Sequence, residues 1–449
     1  MVVLQIASIN NDPYSGVPRA VPKMVNALKS LIRYYRDKSD TLQSKGVDQY
    51  KLAFLNVRGI KIEGIDCQVF SERQSLQDLP YPFNEPDLVV FHEVYYPPFL
   101  KLSKECRDKG IPYIIIPHGC LTKEALDIKK WKKRAANELL FKKYVLGAEC
   151  LQFLSKAEKR NTIFKKQGFI GINGIELPER YKTFIGSYTE KKKTPLDPVN
   201  KETNIEDIAC KEDFPQNCNK PYTVFTYIGR IDMHIKGLDI LVRAAAEKQA
   251  FLRENLCCFR LYGPDCYDSK RKLTLLAEEL GVGDIIEING PVGEEEKEKV
   301  LLDSDIFIQL SRSEALPTGL LEALSYGLPC VVSKGTGLAE LINSYDAGWA
   351  EDVATASSIS TDSINECKKT DIKQPQDVDR NKETKSREQL AQDRKISQIG
   401  ELVEKAVREK SELPRKSQNA RKLIEEKFEV RKQTNRLLRI YKRIVDNSL

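Results

Sequence analysis

Two glutamates and the short helix between them are the residues of this chain best suited to bind an anion. Pro317 suits the first helical position because its missing N–H has no partner there, and Gly327 with Pro329 ends a helix of about three turns. The amides at the helix N-terminus lack intrahelical acceptors, so a diphosphate can dock there. Glu314 precedes the helix, and Glu322 lies within it, where its carboxylate can bond two hydroxyls of a ribose or sugar. Alternatively, Glu314 is a capping acid and Glu322 a solvated helix residue.

A second candidate site follows the predicted strand Tyr222–Ile228. The strand leads into Gly229 and Arg230, and after a short loop Lys236 and Gly237 begin a predicted helix. Backbone can approach a phosphate closely at the glycines, and two cations can neutralise the charge of a leaving group. In isolation, both cations are more typical of a protein surface.

One stretch of the chain resembles the signature of the retaining glycosyltransferases of family 4, which have the GT-B fold. It runs from Ser311 and has the pattern S-x-x-E-x-x-P-x-x-L-L-E-A-L-x-x-G-x-P-C-V-V. The resemblance implies that Glu314 lies against the donor sugar and that Glu322 binds the nucleotide ribose. It also implies that the segment between them holds the diphosphate, through Leu316, Pro317, Thr318 and Gly319. Ala315 stands where the family usually has glycine.

The sequence GRIDMHIKGLD resembles the second basic motif of that family, with a loop one residue longer than the commonest form. The resemblance implies that Arg230 and Lys236 act on the leaving diphosphate. It also implies that two strand ends hold the nucleobase, largely through backbone groups, at Gly263 and from Gly290 to Val292.

The first part of the chain contributes candidates on the acceptor side. The predicted strand Val2–Ser8 is followed by a polar loop that ends at Gly16, and family members use such a loop to approach the donor phosphate and the acceptor; a plain strand-to-helix turn is the alternative. His118 follows the predicted strand Tyr113–Pro117 within Pro-His-Gly, which resembles the acceptor-side motif of the family and implies a catalytic role. His92 also ends a strand, and both histidines are expected where ligands bind such sheets.

Alternating strand and helix patterns predict an α/β chain with parallel, doubly wound sheets. The other predicted strands are Leu52–Asn56, Leu88–His92, Leu151–Leu154, Phe259–Tyr262, Ile285–Ile288, Ile306–Leu310 and a buried strand at the end of the stretch Ser311–Ser333. The resemblance implies the GT-B fold, with two Rossmann-like domains facing a cleft and a C-terminal helix crossing back to the first domain. We expect an acceptor domain at 1–180, joined by 428–449, and a polar linker or insertion at 181–220. A nucleotide-sugar domain is expected at 221–427, with a polar insertion at about 355–395.

Composition excludes several classes of protein. The 449 residues contain no apolar run long enough to span a membrane, and the N-terminus lacks the charged region of a signal peptide. The 11 cysteines show no metal-ligand spacing, which indicates reduced thiols and a cytosolic protein. A net charge of +7 is too diffuse for a nucleic-acid-binding protein.

The segment Lys129–Leu146 is a strongly basic helical pattern, with seven basic residues and one acidic residue. Trp131, Phe141 and Tyr144 are side chains that settle at a lipid headgroup boundary. The segment therefore predicts peripheral binding to an anionic membrane, on the cytoplasmic face. The alternative is a helix that packs internally and exposes its lysines to solvent.

The resemblance implies transfer of a sugar from a nucleoside diphosphate sugar to a hydroxyl of a glycan or lipid-linked acceptor, with retention of configuration. No cofactor or metal is implied, because Arg230, Lys236 and the helix N-terminus can stabilise the charge. Asp303 and Asp305 begin a strand, so we do not expect them to bind a metal in the cleft. Two alternatives use the same architecture: a sugar phosphorylase or epimerase, and a catalytically silent nucleotide-sugar-binding subunit.

Overall fold

Two parallel sheets organise the chain in the computed structural model. The structure describes residues 1–10, 16–42, 50–60, 62–71, 75–123, 125, 137–172, 174–181, 223–351 and 377–446. The predicted linker at 181–220 lies outside these residues, apart from Tyr181. The first part of the predicted insertion, up to residue 376, also lies outside them.

The first sheet has seven strands in the order β3-β2-β1-β4-β5-β6-β7, and every pair is parallel. The strands are β1 Val2–Ala7, β2 Lys51–Asn56, β3 Gln68–Ser71, β4 Leu88–His92, β5 Tyr113–Ile116, β6 Cys150–Phe153 and β7 Gly168–Ile170. The helices beside it are α1 Gly16–Leu42, α2 Pro98–Asp108, α3 Lys142–Gly147 and α4 Lys156–Asn161, with a π-helical turn at Asn137–Phe141. The continuous apolar runs of β4 and β5 form its centre because helices cover both faces.

The second sheet has six parallel strands in the order β10-β9-β8-β11-β12-β13. They are β8 Thr223–Ile228, β9 Cys257–Tyr262, β10 Ile286–Ile288, β11 Ile306–Gln309, β12 Cys330–Val332 and β13 Gly348–Ala350. Its helices are α5 Leu238–Glu247, α6 Gln249–Glu254, α7 Ser269–Glu279, α8 Glu294–Asp303, α9 Thr318–Ser325, α10 Ala339–Tyr345, α11 Asp377–Arg408 and α12 Leu413–Lys427. The strand order reverses between β8 and β11, and a ligand is expected at such a switch point.

The last helix, α13 Val430–Val445, packs against the first domain, as predicted. Leu437, Tyr441 and Ile444 are buried in the same apolar cluster as Val25 of α1. The Tyr441 hydroxyl donates a hydrogen bond to the Gln152 side chain in β6, at 2.9 Å. After the last helix of the second domain, the polypeptide therefore returns to the first domain and packs there as α13.

Several predicted bounds were wrong. Three strands were missed, β3, β7 and β13, because each has only three or four residues. The predicted insertion at 355–395 overlaps the long helix α11, which begins at Asp377. The helix between the two glutamates has eight residues, which is nearer two turns than three.

Two further observations concern the cysteines and the helices of the described residues. None of the eight cysteines in the described ranges forms a disulfide bond. No helix in this part of the chain is long and apolar enough to cross a membrane.

Candidate active site

The carboxylate of Glu314 is held by three donors at the end of β11. Lys236 Nζ lies 2.5 Å from Glu314 Oε1. On the other oxygen, Oε2, the carboxylate accepts hydrogen bonds from Ser311 Oγ at 2.7 Å and Gln309 Nε2 at 3.1 Å. Glu314 therefore does not cap the following helix, and the alternative of a capping acid is wrong.

Lys236 is positioned by a compact loop. The buried Asp232 carboxylate accepts hydrogen bonds from the backbone N–H groups of His234, at 3.2 Å, and Ile235, at 2.9 Å. Gly237 has a φ of 67°, and a Cβ there would lie 2.1 Å from the carbonyl oxygen of Leu310. Only glycine fits this conformation at that distance, so the residue after Lys236 is fixed by the approach of β11.

Arg230 lies at the start of the same loop, directly beyond β8. Its side chain is half-buried and makes no ion pair with any residue in the described ranges. The loop is anchored by its backbone, because the Tyr227 hydroxyl donates a hydrogen bond to the carbonyl of Arg230 at 2.9 Å. The guanidinium therefore remains available to a ligand. It belongs to the same loop as Lys236, which pairs with Glu314.

The N-terminus of α9 is open, as the anion-site prediction requires. Pro317 occupies the N-cap position, and no side chain caps the helix. A Cβ on Gly319 would lie 2.5 Å from the carbonyl oxygen of Ile228, so the helix starts directly against the end of β8. Leu316 and Thr318 are half-buried on either side of Pro317. The start of α9 therefore adjoins the end of β8, after which the Arg230 loop begins.

Glu322 is buried and surrounded by cations. Its side chain is 10% exposed and contacts Lys297 Nζ at 3.1 Å in α8. Two more cations come from α1 of the first domain: Arg19 Nη2 and Lys23 Nζ each lie 3.4 Å from Glu322 Oε1. The alternative of a solvated helix residue is therefore wrong, and the carboxylate sits where the two domains meet.

The loops beyond β8, β9 and β10 lie edge to edge. Gly229 N–H donates to the carbonyl of Tyr262 at 2.9 Å, and Gly263 N–H donates to the carbonyl of Gly290 at 3.0 Å. A Cβ on Gly263 would lie 1.7 Å from the carbonyl oxygen of Gly229. Gly290 is exposed and Val292 is half-buried, so backbone groups dominate this surface. The predicted nucleobase contacts remain a prediction.

His118 and His92 lie together at the ends of β4 and β5. His92 Nδ1 lies 3.1 Å from His118 Nε2, and His92 Nε2 lies 2.9 Å from Gln5 Oε1. Burial lowers the pKa of His118 to about 4. Burial, together with the neighbouring His118, places the pKa of His92 well below its ordinary value. Both rings are therefore neutral at pH 7.

Glu158 holds the turn that contains His118 through hydrogen bonds to the backbone. His118 has a φ of 51°, which is unusual for a residue other than glycine. Glu158 Oε1 accepts a hydrogen bond from the Gly119 N–H at 2.5 Å, and Oε2 accepts one from the Leu154 N–H at 2.7 Å. Burial raises the pKa of Glu158, while these two bonds act in the opposite direction.

The two domains bring the predicted residues to one cleft. A Cβ on Gly119 would lie 3.5 Å from the Cβ of Ala315, so the His118 turn adjoins the Glu314 loop. Gly16 is the first residue of α1 and has open space around its Cα. Residues 11–15 lie outside the described ranges, so the predicted contact of Gly16 with a donor stays a prediction.

Comparison with known proteins agrees with this geometry. Residues 210–385 match the family described as glycosyl transferases group 1. The chain resembles WaaG, a glycosyltransferase involved in lipopolysaccharide biosynthesis, with a TM-score of 0.58, 13% identity, and coverage of 98% of this chain and 99% of that one. Residues 210–385 are therefore similar to this family, and the fold of the chain is the GT-B architecture.

Two further solved structures are similar over nearly all of this chain, and the curated relatives match only a part of it. Sucrose-phosphate synthase from Thermosynechococcus elongatus is 13% identical with a TM-score of 0.60, and all of both chains is covered. HepE of Anabaena, solved in complex with UDP and glucose, is 14% identical with a TM-score of 0.59 over 98% of this chain and 99% of that one. A 120-residue stretch, 25% of this chain, is 28% identical to the putative colanic acid biosynthesis glycosyltransferase WcaL of Escherichia coli K12. The chain spans 29% of the length of the curated relatives it matches.

The basic segment Lys129–Leu146 is only partly described, because residues 126–136, including Trp131, lie outside the described ranges. Phe141 and Tyr144 are 5% and 1% exposed and pack in the core of the first domain. Their predicted position at a headgroup boundary is wrong, since they supply the apolar side on which this segment folds. Lys142 and Lys143 are exposed.

The sequence analysis did not identify the residues that contact the site from outside its motifs. Arg19, Lys23 and Lys297 contact Glu322, and Glu158 holds the His118 turn. The spacing of Arg19 and Lys23, four residues apart on one helix, was the available signal because it places both on one face. Nothing local to Glu158 reveals its partner, which lies 39 residues away.

Proposed function

We propose that this chain transfers a sugar from a nucleoside diphosphate sugar to an acceptor hydroxyl, with retention of configuration. The observation that carries the proposal is the Lys236–Glu314 pair, which lies between the Arg230 loop and the uncapped N-terminus of α9. Together these groups form an electropositive surface with one carboxylate in it. A diphosphate with a sugar attached has the complementary charge.

Charge on the departing diphosphate grows as the bond to the sugar breaks. Arg230 and the amides of α9 would stabilise that charge in the transition state, which is where such stabilisation accelerates a reaction. Lys236 would be shared between the diphosphate and Glu314, and Glu314 would face the sugar as it becomes positive. Glu322 would bind the ribose hydroxyls.

Retention is proposed to occur on one face of the sugar. A double displacement needs a carboxylate nucleophile on the far face. Glu314 is the acid that we place against the sugar, and three donors already occupy its oxygens. We therefore favour a same-face displacement in which the departing phosphate helps to deprotonate the acceptor hydroxyl.

We propose that the reaction needs no divalent metal, because Arg230, Lys236 and the helix N-terminus supply the required positive charge. Activity measured in EDTA tests this directly. Retained activity supports the proposal. Loss in EDTA that Mg²⁺ or Mn²⁺ restores contradicts it.

The acceptor is proposed to be a glycan or lipid-linked sugar of surface polysaccharide synthesis, bound near His118 on the cytoplasmic face of the membrane. The names of WcaL and WaaG support this class of product. Exposed Lys142 and Lys143, next to the exposed Leu140 and Leu146, support contact with an anionic membrane. Flotation with anionic vesicles at low salt tests this contact, with Lys142 and Lys143 changed to Glu for comparison. Equal flotation of both proteins, or none, contradicts a membrane contact through these two lysines.

A panel of UDP-, GDP- and ADP-sugars tests the donor. A true donor should raise the melting temperature and be slowly hydrolysed, and Glu322→Ala should weaken the thermal shift. HepE, crystallised with UDP and glucose, makes UDP-sugars the first choice. No shift with any of these sugars contradicts the proposal.

The same panel separates the alternatives. Binding without hydrolysis or transfer indicates a silent subunit. Conversion of one nucleotide sugar into another indicates an epimerase, and release of a sugar phosphate from a glycan and inorganic phosphate indicates a phosphorylase.

A further inference from the structure

A line of side chains runs through the interior of the first domain and ends at His118. It begins at Gln152 in β6, passes Tyr441 of α13 and Gln5 of β1, and then reaches His92. Gln5, His92 and Gln152 are fully buried. Because every member is a hydrogen-bonding group without solvent, the direction of each bond is decided by its neighbours.

The line starts from a group whose orientation is fixed. Gln152 Nε2 donates to the carbonyl of Gly171 at 3.0 Å, so Gln152 Oε1 must face the Tyr441 hydroxyl, 2.9 Å away. The hydroxyl therefore donates its proton to Gln152. Its oxygen can then only accept from other partners.

Gln5 connects Tyr441 to the histidines. Gln5 lies beside the Tyr441 hydroxyl, and its side chain opposes the rise in the pKa of that phenol caused by burial. Gln5 Nε2 makes no hydrogen bond with any described residue. Because the Tyr441 oxygen can only accept, the amide nitrogen of Gln5 faces it and the amide oxygen faces His92. Gln5 Oε1 lies 2.9 Å from His92 Nε2. An amide oxygen only accepts, so His92 Nε2 must carry the proton.

The same rule decides the next bond. A neutral imidazole has one protonated nitrogen, so His92 Nδ1 is an acceptor, and His118 Nε2, 3.1 Å away, must donate to it. That leaves His118 Nδ1 without a proton. In the described ranges no residue bonds this atom, and it does not belong to the buried polar atoms that lack a partner, so it is open to a ligand.

We propose that His92 is a positioning residue that fixes His118 as the Nε2–H tautomer and leaves Nδ1 as a hydrogen-bond acceptor for a substrate hydroxyl. The part that concerns the substrate rests on the proposed function, in which His118 lies on the acceptor side of the cleft. The tautomer itself does not depend on that function. A neutral acceptor nitrogen here would select a hydroxyl donor and reject a carbonyl or phosphate oxygen.

Nitrogen NMR of histidine-labelled protein reads the tautomer directly, and the chain has only three histidines. At pH 7 His118 should give an unprotonated Nδ1 signal and a protonated Nε2 signal, and so should His92. The exposed His234 provides an internal reference. Assignment uses the single variants His118→Gln and His234→Gln. The opposite tautomer, an even mixture, or a charged ring at His118 in the parent protein would overturn the proposal.

Two variants at position 92 form a matched pair. His92→Asn places an amide oxygen near the position of Nδ1 and should preserve the tautomer of His118. His92→Leu has similar bulk and no acceptor, so the preference should be lost and the two His118 nitrogen signals should move towards each other. If His118 keeps its tautomer in His92→Leu, His92 does not fix it. A donor binding assay run beside the spectra shows separately whether the proposed function fails.

Discussion

Lys236 Nζ and Glu314 Oε1 lie 2.5 Å apart although the residues are separated by 78 positions in the chain. Both side chains are largely shielded from solvent, with 12% and 19% of the side chain exposed. A pair in such surroundings interacts strongly, and removing one partner leaves the other charge unpaired. The two residues should therefore act as one unit.

Lys236→Ala and Glu314→Ala should each lower kcat by roughly a hundredfold, which is about 3 kcal/mol of barrier. The double variant should lose far less than the product of the two effects, because each single change already disables the pair. Initial rates of the parent, the two single variants and the double variant, all measured at saturating donor, give this comparison. Arg253→Ala, which removes an exposed ion pair with Asp284, should leave kcat unchanged. Additive losses in the double variant would show that Lys236 and Glu314 act independently.

Glu322→Ala should raise the donor KM with little change in kcat. Hydrogen bonds from ribose hydroxyls to a carboxylate contribute about 1.5–3 kcal/mol each and are present before and during the reaction, so the KM should rise by roughly tenfold or more. The control is Glu294→Ala, which changes an acid of the same charge cluster whose side chain is 77% exposed. A fall in kcat at unchanged KM would place Glu322 outside the ribose site.

Much of the fold was predictable because most strands are short apolar runs that can be recognised in the sequence. Leu88–His92 has the predicted bounds, since it is a short apolar run between turn residues. The helix α11 was not predicted, because its polar composition favours a linker. Its buried residues Ile399 and Val403 lie four positions apart and pack with Leu241 of α5. This tertiary contact stabilises the segment as a helix against the second domain.

The candidate site was predictable where one motif carries several groups. Glu314, Glu322 and the start of α9 belong to one stretch, so their relation follows from local geometry. Arg19 could not be connected with Glu322 from sequence, because the two residues lie 303 positions apart and on different domains. Tertiary packing, not local pattern, decides such contacts.

Gly263→Ala should destabilise the second domain far more than Gly290→Ala. At Gly263 the new methyl group would lie 1.7 Å from the carbonyl oxygen of Gly229, and the backbone there has a φ of 155°. At Gly290 nothing lies within 4 Å of the added atom. We expect a loss of about 3 kcal/mol or more in the free energy of unfolding for the first variant and less than about 1 kcal/mol for the second. Urea unfolding measures both, and equal losses would contradict the close approach of the two loops.

Glu93→Gln should change the pH dependence of stability. Burial raises the pKa of Glu93 to about 7, against the smaller opposing effect of Arg58. Because the folded-state pKa lies above that of the unfolded chain, near 4.5, the folded state holds the proton more tightly between these two values. The stability that this carboxyl contributes is fully present below pH 4.5 and is lost as the pH rises to about 7.

Glutamine is neutral at every pH and resembles the protonated acid in shape. Relative to the parent, Glu93→Gln should therefore gain stability as the pH rises from about 4.5 to 7 and remain constant above that. With partial access of solvent to the side chain, we expect a gain on the order of 2 kcal/mol. Urea unfolding at several pH values measures it, and Glu85→Gln, the same change at an exposed position, sets the baseline. A difference between Glu93→Gln and the parent that does not vary between pH 4.5 and 7 would show that the Glu93 carboxyl is ionised in the folded protein at pH 5 and above, and that solvent reaches the end of β4 freely.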